Sequence, residues 1–172
     1  WLASTIDPEA SVVFLDTTAV PAPEVRHGYA VRNTVEAAIV HRVCAELLDR
    51  GIAPRSIGVI SPYRAQLGAI REAFGDTCGG VEVDTVDRYQ GRDKQCIVLS
   101  LVKSSEGGGA GGLLQDWRRV NVAITRAKVK LVIVGCAAAL RRNHLFAEML
   151  DIAAAKEWVL PLPPRAHQLG DA

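Results

Sequence analysis

The 172 residues carry 20 Lys+Arg against 19 Asp+Glu, with 49 % hydrophobic and 23 % charged side chains. This composition excludes a chain that is disordered throughout, and at roughly 150 residues per domain it makes about one domain, able to bury a core without disulfides or a structural metal. The net charge of +1 excludes a global attraction to nucleic acid, so any such attraction has to be local.

The longest mostly apolar run without charge, Leu131 to Leu140, is far shorter than the roughly 18 residues of a membrane helix, so no membrane partner is expected. The chain opens on Trp1 and its only methionine is Met149, which predicts a piece of a longer polypeptide. Cys44, Cys78, Cys96 and Cys136 form no Cys-x-x-Cys pair and read as free buried thiols of a reducing compartment. Neither they nor His27, His41, His144 and His167 cluster, and no metal site is predicted.

In chain order, Ser11 to Leu15 reads as a strand and Asp16 to Val31 as an extended loop. Asn33-Thr-Val-Glu36 has the form of a reciprocal capping box. Val35, Ile39, Val43 and Leu47 then put a helix on to about Arg50, ended by Gly51. Ser56 to Ile60 reads as a buried strand, and Pro62 as the first residue of a helix with Leu67, Ile70 and Phe74 on its apolar face. Val81 to Val86 is a strand, Asp87 to Lys94 a polar turn, and Gln95 to Val102 a central strand. Lys103 to Gly112 is glycine-rich and reads as a mobile loop. A helix is expected over Asp116 to Ala127, with Trp117 in the core, then a strand at Val129 to Val134. Helical segments at Ala137 to Leu140 and Leu145 to Lys156, a last strand at Trp158 to Leu160 and a proline-rich tail complete the chain.

Strands alternating with helices predict an α/β domain with three layers and a mostly parallel central sheet. In such sheets ligands bind beyond the carboxyl ends of the strands. That rim takes the turns after Ile60, Val86, Val102 and Val134. Charge is unevenly spread: residues 1–50 hold four basic and seven acidic side chains, whereas Thr85 to Lys128 holds eight basic and four acidic ones.

Three stretches exceed what packing requires: Ser61-Pro-Tyr-Arg-Ala-Gln66, Val83-Asp-Thr-Val-Asp-Arg-Tyr-Gln-Gly-Arg-Asp93, and Arg118-Arg-Val-Asn-Val-Ala-Ile-Thr-Arg-Ala-Lys128. In this order and spacing they resemble motifs IV, V and VI of the second RecA-like motor domain of a superfamily-1 helicase, over about Val12 to Leu160. Within that superfamily the chain is most similar to the eukaryotic DNA replication ATP-dependent helicase/nuclease family. Its Pro21-Ala-Pro-Glu24 segment, the LLQDW stretch before Arg118 and the His-Gln-Leu-Gly-Asp tail at 167–171 share in the resemblance.

The resemblance implies a P-loop NTPase fold of the RecA type. It places residues 33–160 in the helicase C-terminal motor domain, with 1–32 as its entry strand and segment and 161–172 as a tail. It implies ATP-driven movement on single-stranded DNA in replication and repair, with ATP and Mg²⁺ held between this domain and a first RecA-like domain of the same polypeptide. No G-x-x-x-x-G-K-[ST] occurs here, so the isolated chain is expected to be inactive. The family's iron–sulfur cluster and nuclease belong to segments outside this one. The implied location is nuclear, with mitochondria as a second option. By resemblance, Arg126 is the arginine finger and Arg64 a second catalytic arginine. Gln90, Gly91, Asp93 and Arg126 contact the nucleotide, while Thr85, Tyr63, Arg88 and Asn121 contact DNA. Arg119 falls on the same helix and serves as a control for general loss of charge. The rival readings are an RNA helicase of the decay type and a non-catalytic nucleic-acid-binding module that keeps the fold.

Overall fold

The computed structural model describes residues 1–89, 92–104 and 117–168, the side chain of Trp117 excepted. Gln90, Gly91, the predicted loop from 105 to 112, the start of the predicted helix at Asp116 and the end of the tail lie outside the described residues.

The elements run α1 (Leu2–Ile6), β1 (Val12–Asp16), β2 (Val25–His27), β3 (Ala30–Arg32), α2 (Thr34–Asp49), β4 (Ile57–Ser61), α3 (Arg64–Phe74), β5 (Glu82–Thr85), β6 (Lys94–Ser100), α4 (Trp117–Ile124), β7 (Ala127–Gly135), α5 (Ala137–Leu140), α6 (His144–Ala155) and β8 (Val159–Pro161). Short 3₁₀ turns precede β4 and follow β5. One sheet of six strands in the order β5-β4-β6-β7-β1-β8 forms the middle layer, and all its pairings are parallel.

Side chains alternate across a strand, and here both faces are apolar. Val13, Leu15, Val59, Val98, Val132 and Val134 pack with α2 and α3 on one face. Phe14, Ile60, Ile97, Leu99, Leu131 and Ile133 pack with α4, α5 and α6 on the other. Each fully buried Leu, Ile or Phe contributes about 1.5–3 kcal/mol of transfer free energy. The result is the three-layer α/β architecture expected of a RecA-like domain. Because the strands are parallel, Asp16, Ser61, Thr85, Ser100 and Gly135 end at one rim, while β6 and β7 begin together at the opposite edge, where Lys94 pairs with Ala127.

The structure departs from the sequence reading at several points. The supposed loop at 16–31 contains the antiparallel hairpin β2–β3. The tail is not loose as far as described: Leu162 and Ala166 are buried, and Arg42 donates to the Ala166 carbonyl. Pro62 is not the first helical residue. Ser61 Oγ accepts from the Tyr63 N–H at 3.3 Å and bends the chain, so Tyr63 is the N-cap and Arg64 opens α3.

The central strand ends at Ser100, two residues early. Val102 has φ = 70°, and the Lys103 N–H donates to the Leu101 carbonyl at 2.8 Å. That is a γ-turn of the strained kind, on a β-branched residue. It persists because two residues at the start of α2 hold both faces of the turn. The Val102 N–H donates to Glu36 Oε1 at 2.9 Å and its carbonyl accepts from Asn33 Nδ2 at 3.2 Å.

Those two residues also correct the capping box. Asn33 Oδ1 accepts from the Glu36 N–H at 2.9 Å, as a cap should. The reciprocal bond is absent: Gln66 Oε1 takes the Asn33 N–H at 2.7 Å, and Glu36 points inward to Ser100 Oγ at 2.8 Å. Gln66 Nε2 completes the network with bonds to the Asn33 carbonyl and Ser100 Oγ. Asn33, Glu36, Gln66 and Ser100 are all fully buried, and together they tie the starts of α2 and α3 to the end of β6.

Candidate functional site

The carboxyl rim carries a groove of about 420 Å³, to which Tyr29, Tyr63, Arg64, Thr85, Asp87 and Arg119 contribute. Four distant segments meet in it: the β2–β3 hairpin, the first turn of α3, the end of β5 with its 3₁₀ turn, and the start of α4. Parallel topology explains the meeting, since β4 and β5 lie side by side with Ser61 opposite Thr85.

Arg64 is exposed at the first position of α3 and also lines an adjoining pocket of about 200 Å³ with Arg71, Asp84, Thr85 and Arg88. It stands between the two. Arg119 Nη2 lies 3.1 Å from Asp87 Oδ2, which orients the guanidinium over the 3₁₀ turn. Thr85 is half-buried, and its N–H donates to Asp84 Oδ1 at 2.8 Å. Arg88 is exposed, 4.0 Å from Asp84. The groove therefore offers guanidinium groups and a hydroxyl around a partly apolar floor, a set suited to a phosphate-bearing ligand.

Tyr63, expected to contact DNA, is 5 % exposed, so its ring contributes wall to the groove. Its buried hydroxyl has no hydrogen-bond partner among the described residues. Burial pushes the phenol up to about 12, and Glu24 adds to the effect while Arg26 opposes it. Glu24 is itself clamped: it accepts from the Ser104 N–H at 3.0 Å, and Lys103 Nζ lies 3.5 Å from its Oε1. The Pro21-Ala-Pro-Glu24 segment thus fastens the chain that leaves β6.

Arg126 and Asp93 do not reach this groove. The helix stops at Ile124, and Arg126 lies in the turn just before β7, at the sheet edge opposite the rim. Its Nη1 donates to Asp93 Oδ1 at 2.9 Å, its Nε to the Val122 carbonyl at 3.3 Å and its Nη2 to Thr125 Oγ1 at 3.4 Å. The arginine expected to cross the cleft is engaged here with Asp93, Val122 and Thr125. Asn121 lies on the exposed side of α4, outside the groove lining. Gln90 and Gly91 lie outside the described residues.

Sequence reasoning passed over Arg119 and Tyr29. Arg119 belonged to the same motif as Arg126, and only the end point of the helix separates them. Tyr29 fell in a segment read as loop. Among the described residues no group of His, Cys, Asp and Glu is arranged to hold a metal ion, and no helix is long and apolar enough to cross a membrane. Cys44, Cys78, Cys96 and Cys136 are free and buried.

The chain is 44 % identical over 169 residues to the mouse protein "DNA replication ATP-dependent helicase/nuclease DNA2", and 41 % identical over 168 residues to the human protein of that name, covering 98 % of this chain in each case. It is 41 % identical over 166 residues to the Arabidopsis thaliana protein "DNA replication ATP-dependent helicase/nuclease JHS1", covering 95 % of this chain. The chain spans 16 % of the length of the two animal relatives and 12 % of the plant one. The family model of the AAA domain AAA_12 matches residues 1–138. A sheet with its polar groove at the carboxyl rim and a match over most of the sequence lead to one assignment: the chain belongs to the AAA_12 family of AAA domains.

Proposed function

We propose that this chain is the C-terminal motor half of an ATP-dependent DNA helicase/nuclease of replication and repair. It would work against a first RecA-like domain of the same polypeptide, in the nucleus, with mitochondria as a second option. The observation that carries the reading is the convergence of Arg64, Thr85 and Arg119, from three sequence-distant segments, on one rim groove. The relatives' printed names support the activity, and their greater length leaves room for the nuclease and an iron–sulfur cluster elsewhere in such a polypeptide.

The groove fits the phosphate side of a nucleotide and lacks the rest. It presents two guanidinium groups, while the chain has no phosphate-binding loop and its described residues no metal-binding cluster. ATP with Mg²⁺, when bound, supplies the phosphoanhydride and the metal that polarises it. This chain's residues neutralise charge. Arg64 and Arg119 would hold the phosphate, where negative charge grows during transfer, and arginines in that role contribute roughly 10³–10⁵ in rate. This reading gives Arg119 the part that the resemblance gave to Arg126, whose guanidinium is held by Asp93. Thr85 and Arg88, at the neighbouring end of the groove, hold a single strand by its phosphates, whose binding weakens as salt rises.

The test is DNA-stimulated ATPase of the complete protein carrying this chain. Arg119→Ala and Arg64→Ala should each lower it by about 10²-fold or more, with circular dichroism unchanged. Arg119→Lys should recover little, since an ammonium cannot reproduce the planar donor fork. Near-normal ATPase in both folded alanine variants would remove this function from the groove.

A further inference from the structure

We infer that Tyr29 is a stacking platform for a nucleobase at the mouth of this groove, an inference that rests on the reading of the groove as a nucleotide and nucleic-acid face. The sequence builds the platform locally. In the β2–β3 hairpin His27 pairs with Ala30, leaving Gly28 and Tyr29 as a two-residue turn. Gly28 takes φ = 61°, the left-handed conformation that the first central position of such a turn requires. Tyr29 therefore sits at the tip.

Two strands of three residues are not stable by themselves, and this hairpin is anchored. Val31 is buried in the core beside Tyr63, and Arg26 Nε pairs with Glu24 Oε1 at 3.1 Å. The tip is thus held beside the first turn of α3. Tyr29 lines the same groove as Arg64, Thr85 and Arg119.

The ring is fully exposed, at 104 % of its reference area. The other aromatic side chains among the described residues are spent elsewhere. Phe14, Tyr63, Phe74, Tyr89 and Phe146 are buried, and Trp1 and Trp158 lie under Arg42 and Lys156. A flat aromatic face beside phosphate-binding cations is the combination that holds a nucleotide unit: cations take the phosphate and the ring takes the base, whatever its identity. A base of a single strand and the base of a bound nucleotide present the same chemistry, and the experiment tells them apart.

Tyr29→Ala and Tyr29→Phe are compared in the complete protein, with Arg64→Ala as the groove control. Two quantities are read: anisotropy of a labelled oligo(dT) at two salt concentrations, and KM for ATP in the DNA-stimulated reaction. Stacking is worth about 1–3 kcal/mol per base, so Tyr29→Ala should weaken one of the two by about fivefold or more. Tyr29→Phe, which keeps the ring, should stay within about twofold. The salt dependence should not change, because a stack releases no counterions. Weaker oligo(dT) binding assigns the base to the strand; a raised KM with oligo(dT) binding intact assigns it to the nucleotide. If Tyr29→Ala matches wild type in both while Arg64→Ala lowers ATPase, the platform is wrong and the groove stands. If Arg64→Ala is silent as well, both readings fall.

Discussion

Arg126 donates to Asp93 at 2.9 Å, and this contact clasps the turn before β7 to the residue before β6. The neighbouring bond from the Lys94 N–H to the Arg126 carbonyl, at 3.0 Å, continues the same seam in the backbone. Arg119, seven residues earlier and so roughly 10 Å along a helix, belongs to the opposite, groove-lining end. One motif thus carries two arginines, to which the proposed function gives different tasks.

The two tasks separate by measurement. Arg126 and Asp93 side chains are 22 % and 42 % exposed, so solvent screens the pair, and it should contribute no more than about 1 kcal/mol. Arg126→Ala and Asp93→Ala should each shift the urea midpoint slightly, with a double-mutant coupling of about 0.5 kcal/mol. ATPase of the complete protein should fall far less in Arg126→Ala than in Arg119→Ala. Equal or greater loss in Arg126→Ala would mean that its guanidinium leaves Asp93 in the working enzyme and reaches the nucleotide.

Gly58 is kept small by Tyr89. A Cβ at position 58 would lie 2.6 Å from the Tyr89 hydroxyl and 3.0 Å from Ile97 Cδ1. That hydroxyl cannot swing away cheaply: it donates to the Glu82 carbonyl at 2.8 Å, and the ring is fully buried with the Arg92 guanidinium 5.2 Å from its centroid. Gly58→Ala should therefore destabilise the domain by about 1–3 kcal/mol. Adding Tyr89→Phe deletes the atom that the new methyl meets, so the double variant should be less destabilised than the sum of the singles. Strict additivity in urea unfolding would show that the collision is not the cause.

These two cases also mark what the sequence could reveal. The stripe Val35, Ile39, Val43, Leu47 was legible because burial repeats at 3.6 residues, and the central strands because both their faces are apolar and they read as near-continuous apolar runs. The hairpin was not legible, because two three-residue strands with Arg26 and His27 in one of them show no alternation. Asn33-x-x-Glu36 announced a reciprocal cap and delivered half of one. The competing partners, Ser100 and Val102, lie 64 and 66 residues further on, where no local pattern points. The groove motifs could be recognised, yet which arginine faces the groove depends on α4 stopping at Ile124, where Thr125 Oγ1 bonds back to the Asn121 carbonyl at 3.0 Å.

Glu36 should make the domain's stability depend on pH. Burial raises its carboxyl from 4.5 to about 7, against the bonds from Val102, Ser100 and Leu101 that favour the charged form, with Glu24 adding a smaller upward push. Oε1 is bonded, whereas the buried Oε2 has no hydrogen-bond partner among the described residues. In the unfolded chain the proton is lost near pH 4.5, and in the folded one near 7. Between those values the folded state holds a proton that the unfolded state has released, so this group's stabilisation is complete below about pH 4.5. It declines as pH rises through about 7 and is level beyond. Its full span is about 3 kcal/mol. Glu36→Gln keeps an acceptor for Ser100 and Val102 and removes the charge. It should match wild type near pH 5 and exceed it by about 1–3 kcal/mol at pH 8. The comparison is made by urea unfolding across that range, so that the titration of His41 and the other groups cancels in the difference between the two proteins. A difference that stays constant from pH 5 to 8 would mean that Glu36 is not the group that gains a proton on folding.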